Sequence, residues 1–329
     1  MANKQVYYRL IALWVVCEAM LGGIIHGLKL PVSGLIVGSA AVICISLIGY
    51  YYPAKGSILK ATIIVAIFKM MLSPQSPFAA YIAVIFQGVI GQLIFSNRNQ
   101  FRFRCIAFAI LALLESAIQR LLMMTILFGM DIWTAFNSFI NGITGQSSVT
   151  NFSLYIASFY VILHIIIGFI VGNYASKIPS FVLRDKDEMA FRISGDSFVK
   201  IEKPKRKKKA GKYFLQVIWI LLWAILIHSY FYPERAIIPS GIIIKLLLRS
   251  ALIILTWILL INPLLTYMLH RWLKKKKTES GNEIKEISLL LPYTQHIVGQ
   301  SWKMSSQKKG ISRLKLFFRI VMVNSLIDA

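Results

Sequence analysis

Charge is scarce in this chain of 329 residues, and negative charge is scarcer still. Asp, Glu, Lys and Arg together make up 15% of the residues, against 57% apolar ones. Soluble domains carry about 25% charged and about 45–50% apolar residues, so this composition excludes an ordinary soluble protein. A mean hydropathy of +0.66 points the same way. Acidic residues number 13 and basic ones 37, a formal net charge of +24. The excess gathers at the ends of apolar runs, in one linker and in the C-terminal segment, as basic cytoplasmic flanks of membrane spans do. Nucleic acid attracts the same charge, but the placement is that of membrane flanks, and no nucleic-acid partner is expected. Cysteine is sparse too. Cys17, Cys44 and Cys105 lie far apart, within or beside apolar runs and without CxxC spacing. That excludes a disulfide framework or zinc site and leaves small buried apolar residues as their reading. Phosphate-loop, HExxH and GxSxG motifs are missing. Neither ATP hydrolysis by this chain, nor enzymatic activity, nor a bound cofactor or metal is expected.

What remains is a series of apolar runs. The stretch around which they are organised is Lys55–Ser96, where runs over Ser57–Leu72 and Phe78–Phe95 flank the tip Ser73-Pro74-Gln75-Ser76-Pro77. Proline cannot continue a helix and pushes the preceding residue out of the α region, so the tip reads as a tight turn. Gln87 and Gln92 interrupt the second run, and an amide at membrane depth needs a partner or a cavity. Ahead of the hairpin come spans over Val6–Ile25 and Val32–Tyr51; after it come Cys105–Phe128 and Phe152–Ala175. Close helix packing is expected at Ala19/Gly23, Gly34/Gly38 and Gly168/Gly172, small residues spaced by four. Gly129–Asn151, rich in Asn, Ser, Thr and Gly, reads as a loop. Two further spans, Tyr213–Tyr232 and Ile237–Leu269, follow the run Lys203–Lys209, and Pro263 is expected to kink the last. The fold class is therefore an all-α polytopic membrane protein: a six-helix membrane bundle, two further transmembrane helices and a basic cytoplasmic tail. Its segments are a six-span domain over 1–176, a basic linker over 177–212, a two-span segment over 213–269 and the tail over 270–329. Within the tail, Ser305–Leu326 reads as a helix that lies on the membrane or docks against a cytosolic partner.

Threading eight spans from a cytoplasmic N-terminus places Lys4/Arg9, Lys55/Lys60, Arg98/Arg102/Arg104, the Lys203–Lys209 run and Lys274–Lys277 on one side. Location in the plasma (inner) membrane with both termini cytoplasmic follows. The basic linker and tail then face the anionic inner leaflet.

Ionisable groups at membrane depth are Glu18, Lys69, Glu115, Arg120 and His164; such groups are rare and usually face the bundle interior. Glu115 and Gln119 share a helix face, four residues apart, with Arg120 offset by about 100°. Together with Gln75, Gln87, Trp133, Asn137, Asn141 and His164 they suit a pocket for a small polar organic solute. The plainer alternative is an internal pair of Glu18 or Glu115 with Lys69 or Arg120 that fixes helix register, and titration of a carboxylate for ion coupling is a third. His164 alone reads as a hydrogen-bonded core residue, and Lys60 as a side chain reaching the interface.

The six spans over Val6–Ala175, their orientation and the hairpin SPQSPFAAYIAVIFQGVIGQ resemble the substrate-capture (S) subunit of energy-coupling-factor (ECF) vitamin transporters. That resemblance implies a six-helix fold with an outward-facing pocket, vitamin uptake, and association with a transmembrane coupling subunit and separate ATPase subunits. It assigns the docking of the coupling subunit to Ala19 and Gly23 on the first helix. The last two spans and the tail lie outside it. The alternative is a non-transporting envelope scaffold that acts through the basic linker and tail.

Overall fold

The computed structural model describes residues 4–22, 33–73, 76, 78–97, 99–144, 151–186, 188, 191–193, 217, 220 and 251–326. Among these the protein is all-helical, with ten α-helices: α1 Lys4–Val15, α2 Ser33–Tyr51, α3 Ser57–Leu72, α4 Phe78–Ile94, α5 Phe101–Phe128, α6 Asp131–Thr144, α7 Phe152–Asp185, α8 Asn262–Glu279, α9 Gly281–Met304 and α10 Gly310–Ser325. Four described helices are long and apolar enough to cross a bilayer: Gly34–Tyr51, Phe101–Ile126, Phe152–Asp185 and Ala251–Thr278. Along α7, Ile162, Ile165, Ile166, Phe169 and Ile170 all stand exposed. So continuous an apolar face calls for lipid. The chain is a membrane protein.

Among the described residues, these four helices meet the requirements of length and composition, against eight spans expected over the whole chain. The hairpin helix α4 has 17 residues, and α3 has 16 with Lys60 and Lys69 among them. The α1 region carries Lys4, Arg9 and Glu18. Apart from Val217 and Ile220, the span at Tyr213–Tyr232 lies outside the described residues, as do the Lys203–Lys209 run and the first part of the last span. Trp257–Ile261 form a π-helical turn, in which the Asn262 N–H bonds the Trp257 carbonyl five residues back. Pro263 has no N–H, and its ring crowds the carbonyl four residues earlier, that of Leu259; the widened turn contains that residue. The helix then runs past Leu269, through the four lysines, to Glu279.

The chain divides into two compact units, Met1–Ala117 with Ile162–Glu202 and His270–Ala329, and Ile118–Val161 with Lys203–Leu269. In the first unit α1 is the central element. Val6, Leu10, Ile11, Trp14 and Val15 are fully buried, with α2, α3 and α9 packed around them. The tail from His270 belongs to this first unit. The physical reason is a buried stripe on α9 at three- and four-residue spacing, the apolar Ile284, Ile287, Leu291 and Ile297 with the small hydroxyl residues Thr294 and Ser301. The helix expected over Ser305–Leu326 begins later, at Gly310, after a short 3-10 turn over Ser305–Gln307.

Helices α3 and α4 form the expected hairpin. Gly88 makes their close approach feasible, because a Cβ there would lie 2.0 Å from Thr62 Oγ1. Gln92, one of the two amides that interrupt the second apolar run, finds its partner here: its Oε1 accepts the Ile58 N–H at 3.1 Å. That satisfies one of the open donors at the start of α3, whose cap residue, Gly56, has no side chain to offer. Lys60 forms an ion pair with Glu283 of α9 instead of only extending to the interface.

In the second unit, α6 corrects the loop expected over Gly129–Asn151. Asp131 sits in its first turn, where a carboxylate favours the helix dipole. Ile132, Trp133, Phe136 and Ile140 recur at helical spacing and are half-buried. The Asn, Ser, Thr and Gly residues between them, weak helix formers, hide that pattern.

Candidate functional site

A buried polar group lies just past the end of α1. There the helix widens into a π-helical turn, Val16–Leu21, with the Gly22 N–H bonded to the Cys17 carbonyl. Glu18 stands in this turn, a form of helix that recurs at functional positions. Lys69, in the last turn of α3, donates to Glu18 Oε2 at 2.7 Å, and the two side chains are 3% and 4% exposed. Lys69 Nζ also reaches the Ala80 carbonyl at 3.4 Å and lies 6.0 Å from the centre of the Tyr81 ring. Hairpin geometry explains the convergence, since Lys69 and Tyr81 are equally distant from the tip at Gln75. Beyond it, the Tyr81 hydroxyl is 3.4 Å from His270 Nε2. An ammonium has three N–H groups, and here a carboxylate, a carbonyl and a ring face surround it. This is a buried ion pair, which joins the end of the first helix to the last turn of α3.

A second group is open. The Gly34/Gly38 face of α2 meets α5 and α4: a Cβ at Gly34 would lie 2.3 Å from Ser116 Oγ, and one at Gly38 would lie 3.1 Å from Leu113 and 3.5 Å from Gln87 Nε2. Gln87 is 3% exposed, and its Oε1 is buried with no hydrogen-bond partner. Glu115, half-buried on the same stretch of α5, likewise has a buried Oε2 without a partner. Helix α7 closes on α5 from another side. A Cβ at Gly172 would come within 2.5 Å of Ile106 Cα, and one at Gly168 within 2.9 Å of Ile110 Cα. This antiparallel register carries buried His164, one turn before Gly168, to the level of Leu114 and Glu115.

The first unit thus supplies Gln87, Glu115 and His164. Gln119, Arg120, Trp133 and Asn137 belong to the second unit. Two of these have local structural tasks there. Trp133 Nε1 donates to Thr125 Oγ1 at 3.0 Å, and Asn137 Oδ1 accepts the Ser153 N–H at 2.7 Å, capping the start of α7. Gln119 is half-buried and Arg120 exposed. Gln75 and Gly23 lie outside the described residues. Ala19 is buried, packed within its own unit.

Sequence reasoning passed over Tyr81, His270 and a clasp at the end of α7. Buried Asp185 accepts from Arg184 Nε at 3.0 Å and from Arg319 Nε of α10. The carboxylate holds the Arg319 guanidinium above its already high ordinary range. Asn324 donates to the Phe191 carbonyl at 2.6 Å and accepts the Ile193 N–H at 3.0 Å. Only the symmetry of Lys69 and Tyr81 about the tip signalled any of these beforehand.

Among the described residues, no group of three or more His, Cys, Asp or Glu side chains is placed to hold a metal ion. In comparisons with known proteins, no family model matches the chain, and neither a curated protein nor a solved structure matches it.

Proposed function

We propose that this is an integral inner-membrane transport protein, both termini cytoplasmic, that captures a small vitamin-like solute from outside. In this reading separate ATPase subunits energise import through a coupling subunit, in the manner of ECF transporters. The observation that carries the reading is the pair of unpartnered buried oxygens, Gln87 Oε1 and Glu115 Oε2, on α4 and α5. An unsatisfied buried polar group costs about 1–3 kcal/mol, so such atoms call for a partner supplied by a bound molecule or water. Both are acceptors, which suits a solute rich in N–H or O–H donors. Glu115→Ala is expected to abolish high-affinity solute binding while the purified protein keeps its helical content and monodispersity. Unchanged affinity removes Glu115 from the site.

The scaffold reading draws on a different observation. With α9 docked on α1, Lys303, Lys308, Lys309 and Lys315 remain exposed for partners. Because α9 covers the central helix, deleting the tail would disturb the fold. Neutralising these lysines is the cleaner test. Loss of function on neutralisation, with the Glu115 variant unaffected, would favour the scaffold.

A further inference from the structure

We infer that the turn joining α9 to α10, with the exposed first half of α10, docks on a bilayer surface by binding anionic phospholipid headgroups. From Lys303 to Arg319 the chain holds six basic residues, Lys303, Lys308, Lys309, Arg313, Lys315 and Arg319, and no acidic one. Four of them, the lysines, are exposed. Beside them lies an exposed apolar stripe on one helix face: Ile311 at 73%, Leu314 at 46% and Phe318 at 38%. Trp302 is 46% exposed, and the Arg313 guanidinium lies 4.2 Å above its ring. Arg313 Nη2 also reaches the Trp302 carbonyl at 3.4 Å, and Phe317 meets the indole edge-on at 5.4 Å.

Each part of this surface has a counterpart in an anionic bilayer. Lysines beside the apolar stripe reach phosphate oxygens while Ile311, Leu314 and Phe318 enter the headgroup–acyl boundary. Tryptophan and arginine are suited to that boundary, because each joins an apolar body to a polar tip. The stacked guanidinium adds positive charge beside the lysines. An acidic soluble protein would answer the charge but not the apolar stripe. The surface is also firmly mounted, since Ile320–Ser325 of the same helix are buried in the first unit.

The test uses the full-length protein carrying Ile311→Cys, labelled with an environment-sensitive fluorophore. It is reconstituted into vesicles of phosphatidylcholine alone or with phosphatidylglycerol added. Unsubstituted protein labelled in parallel gives the background from Cys17, Cys44 and Cys105. The expected result is blue-shifted emission, protected from an aqueous quencher, in the anionic vesicles alone. At about fivefold per basic residue near the surface, Lys308→Gln/Lys309→Gln/Lys315→Gln should lower the docked-to-free ratio about a hundredfold. High salt on the unsubstituted lysines should reproduce the loss by screening. Water-exposed emission in both vesicle types overturns the inference. So does equal shielding in both that ignores the triple variant and salt, or shielding that appears only when soluble polyglutamate is added.

Discussion

Removing one partner of the Glu18–Lys69 pair should destabilise the protein far more than removing both. The two side chains are 3% and 4% exposed and 2.7 Å apart. Lys69→Met deletes the ammonium and leaves a buried carboxylate without its ion-pair partner, and the Ala80 carbonyl loses the contact at 3.4 Å. Breaking a buried pair from one side costs about 3–5 kcal/mol. Against a total folding stability of about 5–15 kcal/mol, that is a large fraction. Glu18→Gln should be milder, because the amide still accepts one hydrogen bond, but it strands the ammonium. The double variant Glu18→Gln/Lys69→Met leaves no charge and should recover most of the loss, since neutral replacements of similar volume are often tolerated at buried pairs. The assay is equilibrium unfolding in micelles for all four proteins, read as a double-mutant cycle. A coupling energy of about 2 kcal/mol or more is expected by that cycle. Single variants that each cost under about 1 kcal/mol, the ordinary value of exposed pairs, would refute the claim that the pair is buried and structural.

Gly172→Leu should drive α5 and α7 apart, because the new side chain meets backbone at Ile106 and Cys105 and not a flexible side-chain end. Overpacking of this kind costs about 1–3 kcal/mol or more, and a disulfide engineered between the two helices should form less readily; undiminished cross-linking would contradict the register. Asn324→Ala should cost about 1–3 kcal/mol by leaving the Phe191 carbonyl and Ile193 N–H unpaired. Hydrogen exchange at Ile193 should rise, and unaltered protection there would remove the clasp.

Much of the first unit was legible in the sequence because its signals are local. Two prolines bracket the tip between Leu72 and Phe78, and a hairpin of equal arms sets Lys69 against Tyr81. Glu18 and Lys69 stood out because charge is rare in apolar runs, although which carboxylate pairs with which cation depends on packing. Gln92 was visible as a costly amide; its use as a cap for α3 depended on the hairpin's register. Helix α6 was obscured by residues of low helix propensity that its half-buried apolar face outweighs. The clasp of Asp185, Arg319 and Asn324 joins residues more than a hundred positions apart, and no periodicity announces such a meeting. For the proposed solute site, Gln87 and Glu115 were nominated as polar groups out of place. Their unpartnered oxygens emerge only once the surrounding helices are packed. Asn137 and Trp133, nominated on composition, have hydrogen-bond partners of their own in the second unit.

The capture of a solute for energised import is tested most directly by native mass spectrometry of the protein purified gently from its own host. The account predicts a retained vitamin-sized mass, lost in Glu115→Ala, together with co-purifying ATPase subunits. A ligand-free chain bound to other envelope proteins, identical in the Glu115 variant, would contradict it.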